Sequence, residues 1–110
     1  DFYLELNDQG LEIQQQINAF YPRSPAYSFY KGQRLRITQA VAQASTMAIE
    51  AGTILQFDQA GLIVACHNSS LLIRKIQLSG KAEISIKDFL NGHRDYFAAG
   101  TMLSSSSIQD

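Results

Sequence analysis

The chain has one cysteine, two histidines, two prolines and no tryptophan among 110 residues. A single cysteine excludes an intrachain disulfide and favours a reducing compartment. Two histidines and one cysteine are too few soft or imidazole ligands for a zinc site of the usual kind. Charge of either sign is not in excess. Nine Lys and Arg face ten Asp and Glu, for a net charge of −1, so no overall field draws the chain to nucleic acid or an anionic membrane. No apolar run approaches the roughly 20 residues that a membrane span needs. No signal peptide is visible, and the chain opens on Asp1 with no methionine, as a fragment or processed product would. The chain is 45% hydrophobic and 17% charged, an ordinary globular composition of one domain's length.

Hydrophobic periodicity divides the chain into elements. Residues 7–20 predict a helix, with Asn7 or Asp8 as N-cap and Ile13, Ile17 and Phe20 as one apolar stripe. Pro22 stops it, because the residue before a proline is pushed out of the helical region. Residues 27–78 read as strands. Segments 27–30 and 33–43 flank a tight turn at Lys31-Gly32. Leu35 and Ile37 alternate with Arg34, Arg36 and Thr38, the mark of a half-buried strand. Residues 44–52 form a loose connection. Segments 53–57 and 61–67 flank Asp58-Gln59-Ala60, with Gly61 in the left-handed region, and 71–78 make a further strand. The apolar LIVAC run of residues 62–66 fits a central strand. Residues 85–91 predict a short helix with Ser85 as N-cap, an Ile84–Phe89 staple and Gly92 as its C-terminal stop. Residues 93–103 read as extended and 104–110 as a frayed tail. The whole is mainly β: a small OB-like Greek-key β-barrel of about five or six strands, with an N-terminal helix and a short late helix.

The stretch VACHNSS, residues 64–70, holds the side chains of several hydrolase sites. Adjacent strand residues point to opposite faces, so Cys66 and His67 do not meet as nucleophile and base. Cys66 shares a face with Leu62 and Val64, as a small buried hydrophobe does. His67, Asn68, Ser69 and Ser70 are hairpin-turn residues. The carboxylates form no pair: Glu83 and Asp88 flank a helix start, where the helix dipole accounts for them. Gly61, Gly80, Gly92 and Gly100 are scattered and make no phosphate-cradling loop. No catalytic residues are assigned, and no metal or cofactor.

The basic residues offer a binding surface. Arg34 and Arg36 lie two apart on one strand and share a face, roughly 6.6 Å apart. Arg74 and Lys75 fall on opposite faces of another strand, Lys81 in a loop and Lys87 at a helix start. If the strands over 33–38 and 71–78 share a barrel face, Arg34, Arg36 and one of Arg74 or Lys75 make a basic patch; otherwise they are a solvated surface. Tyr27, Phe29 and Tyr30 suit either a stacking platform for single-stranded RNA or strand core.

The ordered segments INAFYPRSPAY, GQRLRI, GTILQFDQAGLIVACHNSSLLIRKIQLSGK and ISIKDFLNGH resemble the C-terminal domain of methionyl-tRNA formyltransferase, from about Leu4 to Leu103. The resemblance implies an OB-like barrel. It implies a non-catalytic unit that binds initiator tRNA through positive charge and helps position its acceptor arm. Formyl transfer from 10-formyltetrahydrofolate to methionyl-tRNA would belong to an N-terminal Rossmann-type domain absent from this chain. The expected setting is cytoplasmic, without a membrane. On this resemblance Arg34 and Arg36 in RLRI match a family basic strand, and Lys81 matches the family's Gly-Lys pair. Arg34, Arg36, Arg74, Lys75, Lys81 and Lys87 are then the candidate tRNA-binding residues. Where the family has a motif close to Asn-Pro-Trp-Pro-Gly-Ala, this chain has Tyr21-Pro22-Arg23-Ser24-Pro25-Ala26. Amino-sugar formyltransferases carry similar C-terminal domains. The alternative is therefore an interaction or structural domain of such a paralogue, packed on its catalytic domain and touching no nucleic acid.

Overall fold

The computed structural model describes residues 2–45 and 48–104. In chain order the elements are β1 (Phe2–Tyr3), α1 (Gly10–Phe20), β2 (Ala26–Tyr30), β3 (Gln33–Ala44), β4 (Ile54–Asp58), β5 (Gly61–Cys66), β6 (Ser69–Leu78), β7 (Ile84–Ser85), α2 (Ile86–Gly92) and β8 (Leu103–Ser104). The fold is mainly β and OB-like, as the periodicity predicts. The strands run β1-β2-β3-β6-β5-β4, with β7 beside β6 and β8 beside β2. β4, β5 and β6 form successive antiparallel hairpins, and β3 lies beside β6 after a long connection. That is a Greek key. The C-terminal segment bridges the start of β4 to β2. Ile54 N–H donates to the Thr101 carbonyl at 2.7 Å and Leu103 N–H to the Gly52 carbonyl at 2.9 Å, while β8 pairs with β2. The sheet itself is open, and these few hydrogen bonds bridge it.

Alternation sets the interior. Leu35 and Ile37 of β3, Leu62 and Val64 of β5, and Leu71, Ile73 and Ile76 of β6 are fully buried. Ile13 and Ile17 of α1 close one end of this core. At the other end Tyr30, Phe57, Phe89, Tyr96 and Phe97 pack as an aromatic cluster, with Tyr30 and Phe97 centroids 4.8 Å apart. Among the described residues, no helix is long and apolar enough to cross a membrane.

Several local expectations change. The first helix starts at Gly10 rather than residue 7, and neither Asn7 nor Asp8 caps it. The cap comes from Ser69 on β6, whose Oγ accepts from Gly10 N–H at 2.7 Å. A Cβ on Gly10 would meet the Ser70 carbonyl oxygen at 2.9 Å, so glycine permits that approach. Phe20 is exposed, not part of the buried stripe, and meets Phe2 edge-on at 5.1 Å. The Lys31-Gly32 turn has positive φ at both residues. Gly61 has φ +146°, positive but outside the left-handed helical region, and a Cβ there would meet the Ile73 carbonyl oxygen at 2.7 Å. Ser85 caps α2 through Asp88 N–H at 3.1 Å, as predicted, but Gly92 is the last helical residue and His93 the C-cap. Residues 93–103 are mostly turns, folded by burial of Phe97, rather than one extended run. Ser104, read as the start of the tail, belongs to β8. The rest of that tail, residues 105–110, and residues 46–47 of the expected loose connection lie outside the described residues.

Candidate nucleic-acid interface

VACHNSS is structural. Cys66 is buried, and burial pushes its thiol up to about 12, so the nucleophilic thiolate is absent near neutral pH. His67 and Asn68 form the two-residue tip between Cys66 and Ser69, with φ +52° at Asn68. Ser69 Oγ donates to the His67 carbonyl at 3.1 Å and accepts from Gly10 N–H. The hairpin tip thus anchors the first turn of α1.

The basic residues divide into two groups. Arg34 and Arg36 are half-buried on the outer face of β3, since Leu35 and Ile37 take the inner positions. They line a small groove of about 100 Å³ with Gln77, Leu78, Ser79 and Gly80. Arg36 is the cross-strand partner of Gln77 and donates to its Oε1 at 3.5 Å. Gln77 in turn donates to the Lys81 carbonyl at 2.8 Å, and Lys81 N–H closes a turn on the Leu78 carbonyl at 3.0 Å. One side chain therefore ties the arginine strand to the lysine loop. The strand pairing that the sequence left conditional is present, but it sets Gln77 and the Lys81 loop, not Arg74 or Lys75, beside the arginines.

Arg74 and Lys75 are not on opposite faces as expected; both are exposed. The β3–β6 pairing slips here: Ile37 faces Ile76, Gln39 faces Lys75 and Ala40 faces Ile73. This irregularity leaves Thr38 and Arg74 outside the pairing and shifts the inward phase of β6 from Leu71 and Ile73 to Ile76. Lys75 is offset by an acid. Thr38, whose buried Oγ1 makes no hydrogen bond of ordinary geometry among the described residues, the Tyr21 hydroxyl at 3.0 Å and the Lys75 ammonium lie near Glu83 and hold its carboxyl below the usual carboxylate range, against partial desolvation. Lys87 is exposed in the first turn of α2, one residue from Asp88. Lys75 and Lys87 thus have acidic neighbours, whereas Arg34, Arg36 and Lys81 line or flank the groove.

Of the aromatic residues that the sequence offered as platform or strand core, the structure puts two on this face and one in the core. Tyr27 and Phe29 share the outer face of β2, directly opposite Arg36 and Arg34. The Arg34 guanidinium sits 4.2 Å from the Tyr27 ring centroid, a cation–π contact. Tyr3 on β1 pairs with Tyr27, their rings 5.8 Å apart and edge-on. Tyr30, the third of the expected platform, points inward and is 2% exposed, with its hydroxyl 3.0 Å from Thr101 Oγ1. The signal was available: strand alternation separates Tyr27 and Phe29 from Tyr30.

A second outer row is apolar. Val41, which is 43% exposed, pairs with Leu72, and Leu72 pairs with Ile63. Among the described residues, no three His, Cys, Asp or Glu side chains gather into a metal site.

The family model for the formyl transferase C-terminal domain matches residues 1–94. Methionyl-tRNA formyltransferase of Pseudoalteromonas translucida is 36% identical over 98 residues, 87% of this chain and 30% of that protein. The enzyme of the same name from Legionella pneumophila is 35% identical over 97 residues, 88% of this chain and 31% of that protein. That of Colwellia psychrerythraea is 36% identical over 98 residues, 84% of this chain and 30% of that protein. The chain spans about 30% of the length of the curated relatives it matches.

Proposed function

Given that the chain belongs to the formyl transferase C-terminal domain family, we propose that it is the non-catalytic, tRNA-positioning part of a methionyl-tRNA formyltransferase. The observation that carries this reading is the groove of Arg34, Arg36 and Gln77, tied to the Lys81 loop, on the outer face of the sheet. The similarity of its relatives, each bearing that enzyme's name, supports the choice of substrate.

In this reading the chain works in the cytoplasm as one folded domain. A separate N-terminal domain transfers the formyl group from 10-formyltetrahydrofolate to the amino group of initiator methionyl-tRNA. The present domain holds the acceptor arm. Arginine forks take phosphate oxygens in pairs, and such contacts read charge and shape, not base sequence. Arg34, Arg36 and Lys81 form the centre of the contact, with Arg74, Lys75 and Lys87 toward its edge. Contact with about four phosphates gives a slope of about −3 in log K against log salt, and micromolar or weaker affinity for the isolated domain. Salt-titrated binding of initiator tRNA to the wild type and to Arg34→Ala/Arg36→Ala tests this. A shallower slope and weaker binding in the double variant are expected; equal binding removes the groove from the function.

A second reading has one observation in its favour. The apolar outer row of Val41, Leu72 and Ile63 suits packing on a protein. There the chain would be an interaction domain of an amino-sugar-type formyltransferase that binds no nucleic acid. Undetectable tRNA binding by the wild type at low salt would favour it.

A further inference from the structure

The outer face of β2 and β3 carries more than charge. Two cross-strand rows stand side by side. One runs Tyr3, Tyr27, Arg36, Gln77 across β1, β2, β3 and β6; the other runs Ser104, Phe29, Arg34 across β8, β2 and β3. Paired residues point to the same side of a sheet, so the seven side chains share one surface. The aromatic rings lie on β1 and β2, and the two guanidinium groups stand beside them on β3.

Each aromatic of this face has a core-facing neighbour that already fills the interior. Ser28 is fully buried and Tyr30 is 2% exposed, whereas Tyr3, Tyr27 and Phe29 are half-buried. The core therefore does not account for the three outward rings. They are held in order by each other: Tyr27 meets Tyr3 at 5.8 Å and Phe29 at 5.7 Å, both edge-on, and Arg34 lies over Tyr27. Ring positions fixed in advance lower the ordering cost of a ligand that stacks on them.

We infer that this face is a stacking platform for an unpaired nucleotide of the bound RNA, with Phe29 and Tyr3 taking the base and Arg34 and Arg36 its flanking phosphates. The inference rests on the tRNA-positioning reading and adds to it a contact with a nucleotide outside the helical stem. A paired helix presents phosphates but keeps its base faces covered. Only an unstacked base can use the rings, and each such stack strengthens binding by about 5-fold or more. The platform therefore makes binding to flexible single strands depend on Phe29, while binding to a duplex depends on the arginines alone.

The test uses two fluorescently labelled probes, a single-stranded oligoadenylate of about 12 nucleotides and an RNA duplex of equal length. Phe29→Leu keeps apolar bulk in the sheet and removes the π-face. The expected result is a loss of at least about 5-fold in oligoadenylate affinity, with duplex affinity and salt slope unchanged. Phe29→Trp restores oligoadenylate binding. The chain has no native tryptophan, so its emission reports on that one position and falls when oligoadenylate binds. Oligoadenylate affinity unchanged in Phe29→Leu, with unquenched emission in Phe29→Trp, overturns the platform. If the arginine variants still weaken duplex and tRNA binding in that case, the tRNA-positioning reading survives alone. Failure of the wild type to bind tRNA or either probe overturns both.

Discussion

Ser69, at the start of β6, caps α1: its Oγ lies 2.7 Å from the Gly10 amide, across 59 residues of sequence. The serine that looked like part of a hydrolase motif holds a helix onto the sheet. Its hydroxyl proton is directed to the His67 carbonyl, which leaves the oxygen as acceptor for the helix. Ser69→Ala removes the acceptor and costs about 1 kcal/mol, or roughly 5 °C in Tm for a domain of this size. Asn7→Ala, at the expected cap, leaves the urea midpoint unchanged within error. Equal losses at both positions would restore the local cap.

Glu83 joins the end of α1 to the turn after β6. Its carboxyl is held low in the neighbourhood of Thr38, by the Tyr21 hydroxyl at 3.0 Å and by Lys75. A depressed folded-state pKa stabilises the fold above the unfolded carboxylate range, and this stabilisation is lost as pH falls through the folded value. The effect is modest, because the group is largely exposed. Tyr21→Phe removes the hydrogen bond of 3.0 Å and raises the Glu83 pKa toward its ordinary value, and Thr38→Val does not lower it. Carboxyl ¹³C shifts followed through an acid titration measure this, and a fall in either variant contradicts it.

Cys66 is inert in the folded chain. With its thiol pushed up to about 12 by burial, it resists disulfide-exchange reagents at pH 8. Full labelling appears only in denaturant. Rapid stoichiometric labelling of the native protein would place Cys66 at an accessible, activated site and reopen the catalytic question.

Much of this was legible in the residues. Strand alternation placed Leu35 and Ile37 inside and Arg34 and Arg36 outside. The Lys31-Gly32 turn and the Ser85 cap are local chemistry, readable within four residues. What escaped was long-range. The cap on Gly10 comes from a hairpin tip, so no local pattern announces it. The outward pair Arg74 and Lys75 follows from an irregularity in the β3–β6 pairing, which depends on two strands at once. The burial of Phe97 among Tyr30 and Phe57 draws residues 93–103 into turns, against their extended reading. The basic groove has the same origin: Gln77 joins Arg36 to the Lys81 loop, and nothing in either segment alone predicts it.

The central claim is that the Arg34–Arg36 face, and not another, meets the tRNA. Amide chemical shifts of the ¹⁵N-labelled chain, followed through a titration with initiator tRNA at low salt, map the contact directly. The account predicts perturbations clustered on residues 27–36 and 77–81, disappearing as salt is raised. Shifts centred instead on Val41, Leu72 and Ile63, or no shifts at saturating tRNA, would contradict it.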